Sequence, residues 1–411
     1  MILDNLLSYK PEEALIFLER KMNNENFGSN VQETYRPDGP CGGFDIPFVL
    51  LKKEGVIHFQ NAPDTKLLTL LETEDEIKFF LHPEMILDYK SKNMAHLENI
   101  AGSVRVFPTS STRTVIALGG GYPYMIKTDL VRRIGDGVKR LKRSHLDHIK
   151  EIGKDLEEVS INNFGYLPES LGLLFSSCNE EVGMVIREFY ARPRIYEGTY
   201  LIPFFSLFSK DPASKDDPIL LKQLLNKQND EHNEIDSCLE RIIIPYVECW
   251  MQLISQRGLC AEMHAQNTLL EVDKYGMPLR VIYRDLQDTF VDLDIRDQRG
   301  LKKDFNKGII GENERLYLVK KTPIKDRERC KQISYSLTYD YRMARALDYF
   351  VEAFKTEYSD AEDRIVSGIK NIWNKNFRGM DILPTKAYLL EKKQPNIGKE
   401  LHFIEADPKY R

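Results

Sequence analysis

Cysteine is sparse in this chain and never paired along it: Cys41, Cys178, Cys238, Cys249, Cys260 and Cys330 stand singly, with no CxxC among the six. That spacing argues against a zinc ribbon, an iron–sulfur cluster or a disulfide framework, and it fits a reducing compartment. An excess of one charge is missing too. The formal net charge is −5 with 29% charged residues, so no global basic field draws the chain to nucleic acid or to an anionic membrane. Long apolar runs are lacking: the most apolar helix candidate, residues 242–254, contains Pro245 and Glu248 and is too short to span a bilayer. The opening residues, MILDNLLSYKPEEALIF, carry acids early and lack the basic-then-apolar order of a secretory signal. Internal repeats, low-complexity tracts and heptads do not occur. These absences predict a cytoplasmic protein with neither nucleic acid nor membrane as partner.

What is present suits a sizeable globular core. At 411 residues and 42% hydrophobic, the chain should hold roughly two or three domains. Residues 1–26 read as helix, with Pro11-Glu12-Glu13 as a good first turn. Residues 48–52 and 56–60 read as a hairpin around Lys53-Glu54-Gly55. Residues 132–159 read as an amphipathic helix on Val138, Leu141, Leu146, Ile149, Ile152 and Leu156. His145 and His148 share a face of it; a metal pair and a solvated face are both readings, and the flanking charges favour the solvated one. Lys139 or Arg140 is placed to face a pocket. A polar loop at residues 210–217 is the best internal boundary. Helices follow at residues 219–226, 235–256, 339–354 and 361–377, with a polar loop framed by residues 301–309 and 314–317.

Two stretches carry candidate chemistry. The first is CAEMHAQNTLLEVDKYGMPLRVIYRDLQD, residues 260–288. Two short strands joined by a Gly/Pro turn make a hairpin, which brings Asp285 at its exit beside His264, Gln266 and Asn267 at its start. Carboxylate and amide oxygens suit a hard cation, and His264 and Arg284 suit phosphate or a second anion. The same residues also read as an amide-capped turn and an ordinary ion pair, so spacing alone leaves both open. The second stretch is residues 104–130, VRVFPTSSTRTVIALGGGYPYMIKTDL. Two β-rich runs, residues 114–118 and 124–128, flank Gly119-Gly120-Gly121, with Ser111, Thr112 and Arg113 ahead and Lys127 on the return strand. Glycines let backbone amides approach phosphate, and a basic residue on the next strand is the arrangement protein kinases use over ATP. The plain alternative is a hairpin that needs glycine in its turn.

Taken together, SSTRT, the strand Lys127, EMHAQN, RD and a late PTKAYLLEK resemble the IucA/IucC-like family, the synthetases that build siderophores without a non-ribosomal peptide synthetase. The resemblance covers roughly residues 80–411. It implies an α+β, multi-domain thumb, fingers and palm architecture with kinase-like nucleotide-binding hairpins. Its regions would be a reduced thumb (1–100), ATP-binding fingers (101–209) and a catalytic palm (210–411). It implies ATP and Mg²⁺ as cofactors, a citrate-like carboxylic acid and an amine or alcohol nucleophile as substrates, and a homodimer. Adenylation of the carboxylate would release pyrophosphate, and the nucleophile would then displace AMP.

Residue by residue, the resemblance puts Ser111, Arg113 and Thr114 on the ATP phosphates and Lys127 on charge developing at the α-phosphate. His264 would lie between nucleotide and carboxylate, with Gln266, Asn267 and Arg284 on the nucleotide and Asp285 and Asn267 on the metal. Lys386 would meet the carboxylate. Glu262 orients the loop. His82-Pro83 is similar to the family's H-P-W stretch, with Glu84 in place of the aromatic residue. Nothing in residues 1–55 matches the family's N-terminal G-H-P-x-H-P-type motif, and Lys139 or Arg140 stands where a Thr-then-Arg pair is usual. The nucleotide half is thus expected intact and the citrate half altered. A phosphotransferase releasing ADP and an inactive partner of a full-length synthetase remain the alternatives. Lys127→Ala or His264→Ala is expected to abolish turnover without disturbing the fold.

Overall fold

Strand alternation, and one short connection, decide the shape of the larger sheet. The computed structural model describes residues 1–23, 29–40, 42–92, 94–134, 137–177, 180–214, 216–227, 233–302, 305, 333–377, 386–390 and 403–411. Among these, eight antiparallel strands run in the order β2 (Ile57–Gln60), β10 (Glu169–Ser177), β11 (Glu180–Glu188), β6 (Tyr124–Thr128), β5 (Thr114–Ala117), β4 (Gly102–Pro108), β1 (Phe44–Lys52) and β3 (Glu76–Phe80). β2 therefore stands first and β1 seventh. Laid flat, that gap is about 29 Å at ~4.8 Å per strand. The chain from Lys52 to Ile57 reaches only about 18 Å. The sheet must curl until its ends approach, and a single helical turn, Lys53–Val56, bridges them. Across the curled interior the Phe80 amide donates to Met184 Sδ at 3.1 Å.

The expected hairpin of residues 48–52 with 56–60 is therefore not formed. β1 pairs with β3 and β4, and β2 pairs with β10. Inward side chains such as Val115, Ala117, Ile126, Met184 and Ile186 fill the interior of the curl. The alternate side chains Ile116 and Met125 point outward and pack on Leu15 and Ile16 of helix α2 (Pro11–Lys21) and on Leu269 and Ile282. Those last two belong to a second sheet, β12 (Tyr200–Pro203), β14 (Thr268–Val272), β15 (Pro278–Tyr283) and β9 (Phe164–Tyr166), in which β15 and β9 are parallel. The predicted β14–β15 and β5–β6 hairpins are both present.

The helices differ from expectation at their ends. Residues 1–23 hold two helices, α1 (Ile2–Ser8) and α2, because Pro11 lacks an amide for the preceding turn and is tolerated only at a helix start; residues 24–26 lie outside the described residues. The stretch 132–159 opens as a ribbon of β7 (Leu130–Ile134) and β8 (Gly137–Lys139), and only Arg143–Glu157 is helix, α3. β-branched Val131, Ile134 and Val138 suit the ribbon. His148 is buried and donates Nε2–H to the Thr289 carbonyl at 2.7 Å, so it is not on a solvated face. His145 Nδ1 accepts the Lys142 amide at 3.1 Å and caps the helix start.

Beyond residue 217 come Leu220–Asn226 and Glu234–Cys238, a π-helical stretch Leu239–Ile243 and α4 (Ile244–Arg257). A second π-helical stretch, Leu337–Met343, leads into α5 (Ala344–Phe354), and α6 (Ala361–Asn376) follows. Trp250, Tyr339 and Trp373 pack between them in tilted and edge-to-face contacts, as ordinary core. The expected loop at 301–317 lies largely outside the described residues. No helix among the described residues is long and apolar enough to cross a membrane.

Candidate active site

The β14–β15 hairpin sets one wall of the site. Thr268 pairs with Tyr283 in its register, and the Arg284 amide donates to the Asn267 carbonyl at 2.9 Å. Asp285 then leaves the strand in a left-handed conformation, φ 77, which Asp tolerates better than most residues. This turn aims its carboxylate back across the hairpin. The opposite wall is the 109–113 loop between β4 and β5. The Thr109 hydroxyl donates to the Thr114 carbonyl at 2.8 Å, and Thr112 takes φ 64, which tightens the loop and presents Ser111 and Arg113.

Between the walls lies an open cleft with a cavity of about 120 Å³, lined by Ser111, Arg113, Gln266, Asn267, His264 and Asp285 from the expected set. Four further polar residues line it: Lys139, Glu262, Asp288 and Arg342. Lys139, one of two expected alternatives, answers from β8; Arg140 instead pairs with Asp129 at 3.1 Å. Asp288 and Arg342 were not singled out in the sequence. Asp288 sits three residues after Asp285 in an ordinary-looking LQD turn, and Arg342 comes from a distant π-helical stretch, so only the first had a local signal. The glycine turn is absent from the lining. Gly119–Gly121 occupies the far end of the β5–β6 hairpin, while Lys127 pairs with Thr114 at the near end.

Charge inside the cleft is paired but not exhausted. Arg342 Nε lies 2.8 Å from Glu262 Oε1, and Arg113 Nη2 donates to Gln287 Oε1 at 3.1 Å. Arg113 is buried, yet its Nη1 has no hydrogen-bond partner among the described residues. Burial pushes the Glu262 carboxyl up to about 7 against the pull of Arg342. Burial, then the charge of Asp285, raises the Asp288 carboxyl. Asp285 goes the other way: burial would raise it, but Lys127 and Arg187 outweigh burial and hold it well below the usual carboxylate range. For His264, burial and then the Arg342 charge hold the imidazole down to about 3, so it is neutral near pH 7. Its Nδ1 accepts the Gln266 amide at 3.1 Å, which leaves the ring proton on Nε2.

The remaining expected residues stand behind or beside the cleft. Thr114 is buried on β5, its amide donating to Ser111 Oγ at 3.2 Å. Lys127 is fully buried and binds Asp285, with Glu169 Oε1 at 3.3 Å on its other side. Arg284 is buried and committed: it pairs with Glu19, and its Nε donates to the Gln266 carbonyl at 2.9 Å. Lys386 is exposed and pairs with Asp407. Its carbonyl accepts Arg411 Nη2 at 3.3 Å, and Arg411 in turn lies 2.8 Å from Asp340, two residues before Arg342. The structure thus joins Lys386 to the helix that carries Arg342 without placing it in the lining. His82 is buried between Tyr35 and Phe44, and its Nδ1 accepts the Glu84 amide at 3.3 Å.

Solved structures share this arrangement of sheets and helices. The petrobactin biosynthesis protein AsbB from Bacillus anthracis str. Sterne superposes with a TM-score of 0.68, at 14% identity, over 99% of this chain and 79% of its own. The fold is that of the siderophore synthetases. ATP-bound aerobactin synthetase IucA from a hypervirulent pathotype of Klebsiella pneumoniae matches 91% of this chain and 71% of its own, at 14% identity and a TM-score of 0.60. Aerobactin synthetase IucC from the same source matches 89% and 72%, at 13% identity and 0.57. Residues 239–393 also match the family described as ferric iron reductase FhuF-like transporter. No curated protein matches the chain. At these identities the siderophore-synthetase likeness is one of fold, and the chemistry has to be argued from the cleft.

Proposed function

We propose that the protein is an ATP-dependent synthetase that adenylates a carboxylic acid and condenses it with an amine or alcohol, in siderophore or related specialised metabolism. The observation that carries this reading is Arg113, which lines the same cleft as Asp285 and Asp288 and holds a buried Nη1 with no hydrogen-bond partner among the described residues. A buried guanidinium with a spare donor is a ready anion site, and a carboxylate pair beside it suits a metal–phosphate group. The ATP-bound state of IucA supports the same assignment.

Asp285 and Asp288 would hold Mg²⁺, with the Asn267 amide oxygen, and the ion would supply a Lewis acid that neutralises phosphate charge. The donor set fits such an ion: the Asp288 carboxyl is raised by burial and then by the charge of Asp285, a repulsion that a cation relieves. Among the described residues no three His, Cys, Asp or Glu side chains form a preassembled cation cage. Mg²⁺ needs none, since it is commonly bound by one or two carboxylates together with substrate phosphates.

Ser111 and Arg113 bind phosphate oxygens, and Lys127 acts from behind by fixing Asp285. Neutral His264 donates Nε2–H to a ligand oxygen, where the attacking carboxylate meets the α-phosphate. Lys139 and Arg342 offer the positive charge that receives an anionic substrate, and Lys386 approaches from the side of Arg342. Carboxylate oxygen then attacks the α-phosphorus, pyrophosphate leaves, and the nucleophile displaces AMP from the acyl carbon.

The test is product analysis. Purified protein with Mg-ATP, a panel of di- and tricarboxylic acids and hydroxylamine should release pyrophosphate only with the right acid. Release of ADP instead would establish a phosphotransferase, for which the buried Lys127–Glu169 pair behind Asp285 would be the structural basis. Neither product, with ATP still bound, would leave an inactive partner of another synthetase.

A further inference from the structure

The first helical hairpin of the chain carries a charge that the chemistry above does not use. Glu19 lies on α2, and its side chain is fully buried. Its Oε2 accepts the Ser110 amide at 2.8 Å, and its Oε1 pairs with Arg284 Nη1. Ser110 Oγ accepts Gln266 Nε2 at 3.2 Å and Arg284 Nη2 at 3.4 Å. Arg284 Nε closes the ring on the Gln266 carbonyl at 2.9 Å. Gln266 itself lines the cleft, and the other two ring members that Glu19 grips are chain neighbours of lining residues: Ser110 precedes Ser111, and Arg284 precedes Asp285.

Anchoring the helix does not in itself call for a carboxylate. α2 is already anchored by buried Leu15, Ile16 and Leu18, and a buried ion pair is often no better for stability than an apolar replacement. A carboxylate does what an apolar residue cannot: two oxygens bind one group from each wall at once. We propose that Glu19 is a positioning residue, through which the N-terminal helix sets the spacing between the Ser111–Arg113 wall and the His264–Asp285 wall. This rests on the reading that the cleft takes ATP, because it is the phosphates that would span the two walls. A shift of about 1 Å between reacting groups is worth on the order of 100-fold in rate.

Glu19→Gln keeps shape and an acceptor for Ser110 but leaves Arg284 without its counter-charge. Amide hydrogen exchange of the unliganded full chain is the first readout. Exchange should accelerate in residues 109–114 and 262–267 by more than it does in the β10–β11 hairpin, which registers the general cost of leaving Arg284 without its counter-charge. Pyrophosphate release should fall by roughly 10- to 100-fold through kcat. Unchanged exchange in both loops would overturn the proposal, and so would equal acceleration in the loops and the β10–β11 hairpin with activity tracking melting temperature, which marks a merely structural role. Should Glu19→Gln fail to fold, Ser110→Ala deletes only the hydroxyl link. It should accelerate exchange in 262–267, and no change there overturns the proposal equally. A wild-type protein that binds no ATP would defeat the functional reading, while the exchange comparison would still decide the role of Glu19.

Discussion

Lys127 Nζ on β6 lies 3.3 Å from Glu169 Oε1 on β10, and both side chains are fully buried. A β-bulge makes the meeting possible. Strict alternation along β10 would put Glu169 on the same face as Leu171 and Leu173, inside the curled sheet. The register shifts between Glu169 and Leu171 and turns the carboxylate outward. There it also receives Arg187 Nη2 at 2.6 Å. Two cations and two carboxylates, Lys127, Arg187, Glu169 and Asp285, thus form one cluster, buried at the back of the cleft except where Asp285 reaches the lining.

That cluster revises the expectation for Lys127. Removing Lys127 leaves Glu169 and Asp285 short of a buried counter-charge, which costs about 3–5 kcal/mol. Lys127→Met should therefore lower stability in urea unfolding as well as reduce pyrophosphate release by roughly 100-fold or more. Stability equal to wild type would show that the lysine is not locked between the two carboxylates.

Asp288 should show the opposite sign. Its carboxyl is raised by burial and by Asp285, so its charge is a burden on the unliganded protein. Asp288→Asn should raise the melting temperature without added metal. The same change should weaken Mg-ATP binding by roughly 10-fold or more, about 1.4 kcal/mol. Calorimetry on both states checks the pair of signs, and a variant that binds Mg-ATP normally would remove Asp288 from the metal site.

Glu262 predicts a pH dependence. Its folded carboxyl is pushed up to about 7 from the ordinary value of 4.5, with burial as the cause. Between those values the folded state holds more protons than the unfolded one, so stability falls as pH rises through that window and levels off above it. The melting temperature of wild type relative to Glu262→Gln should therefore fall as pH rises from 4.5 to 7. His264 adds a slope of the opposite sign below its ordinary value of 6.5, because burial holds the folded imidazole down to about 3 and only the unfolded one takes up a proton; it is common to both proteins and cancels in the comparison.

Lys386 separates binding from folding. It is exposed and paired with Asp407, so Lys386→Ala should leave the melting temperature unchanged. If the lysine swings toward Arg342 to meet the carboxylate, the KM for the acid should rise several-fold with the KM for ATP unaltered. Unchanged kinetics for both would take Lys386 out of the reaction.

By itself the sequence determined the two hairpins and most of the cleft-lining residues they carry. Strand composition, turn chemistry and period-two alternation are local, and they fixed Ser111, Arg113, His264, Gln266, Asn267 and Asp285 at hairpin ends. Tertiary structure decided what those residues face. Lys127 meets Asp285 across 158 residues of chain, and Glu19 meets Arg284 across 265. A bulge re-aimed Glu169, and the curl of the sheet separated β1 from β2 although their sequences adjoin. Asp288 and Arg342 became cleft residues only because a turn and a π-helical stretch from distant parts of the chain converge there. Such pairings depend on which surfaces bury one another, a property of the whole packed chain that no window of sequence contains.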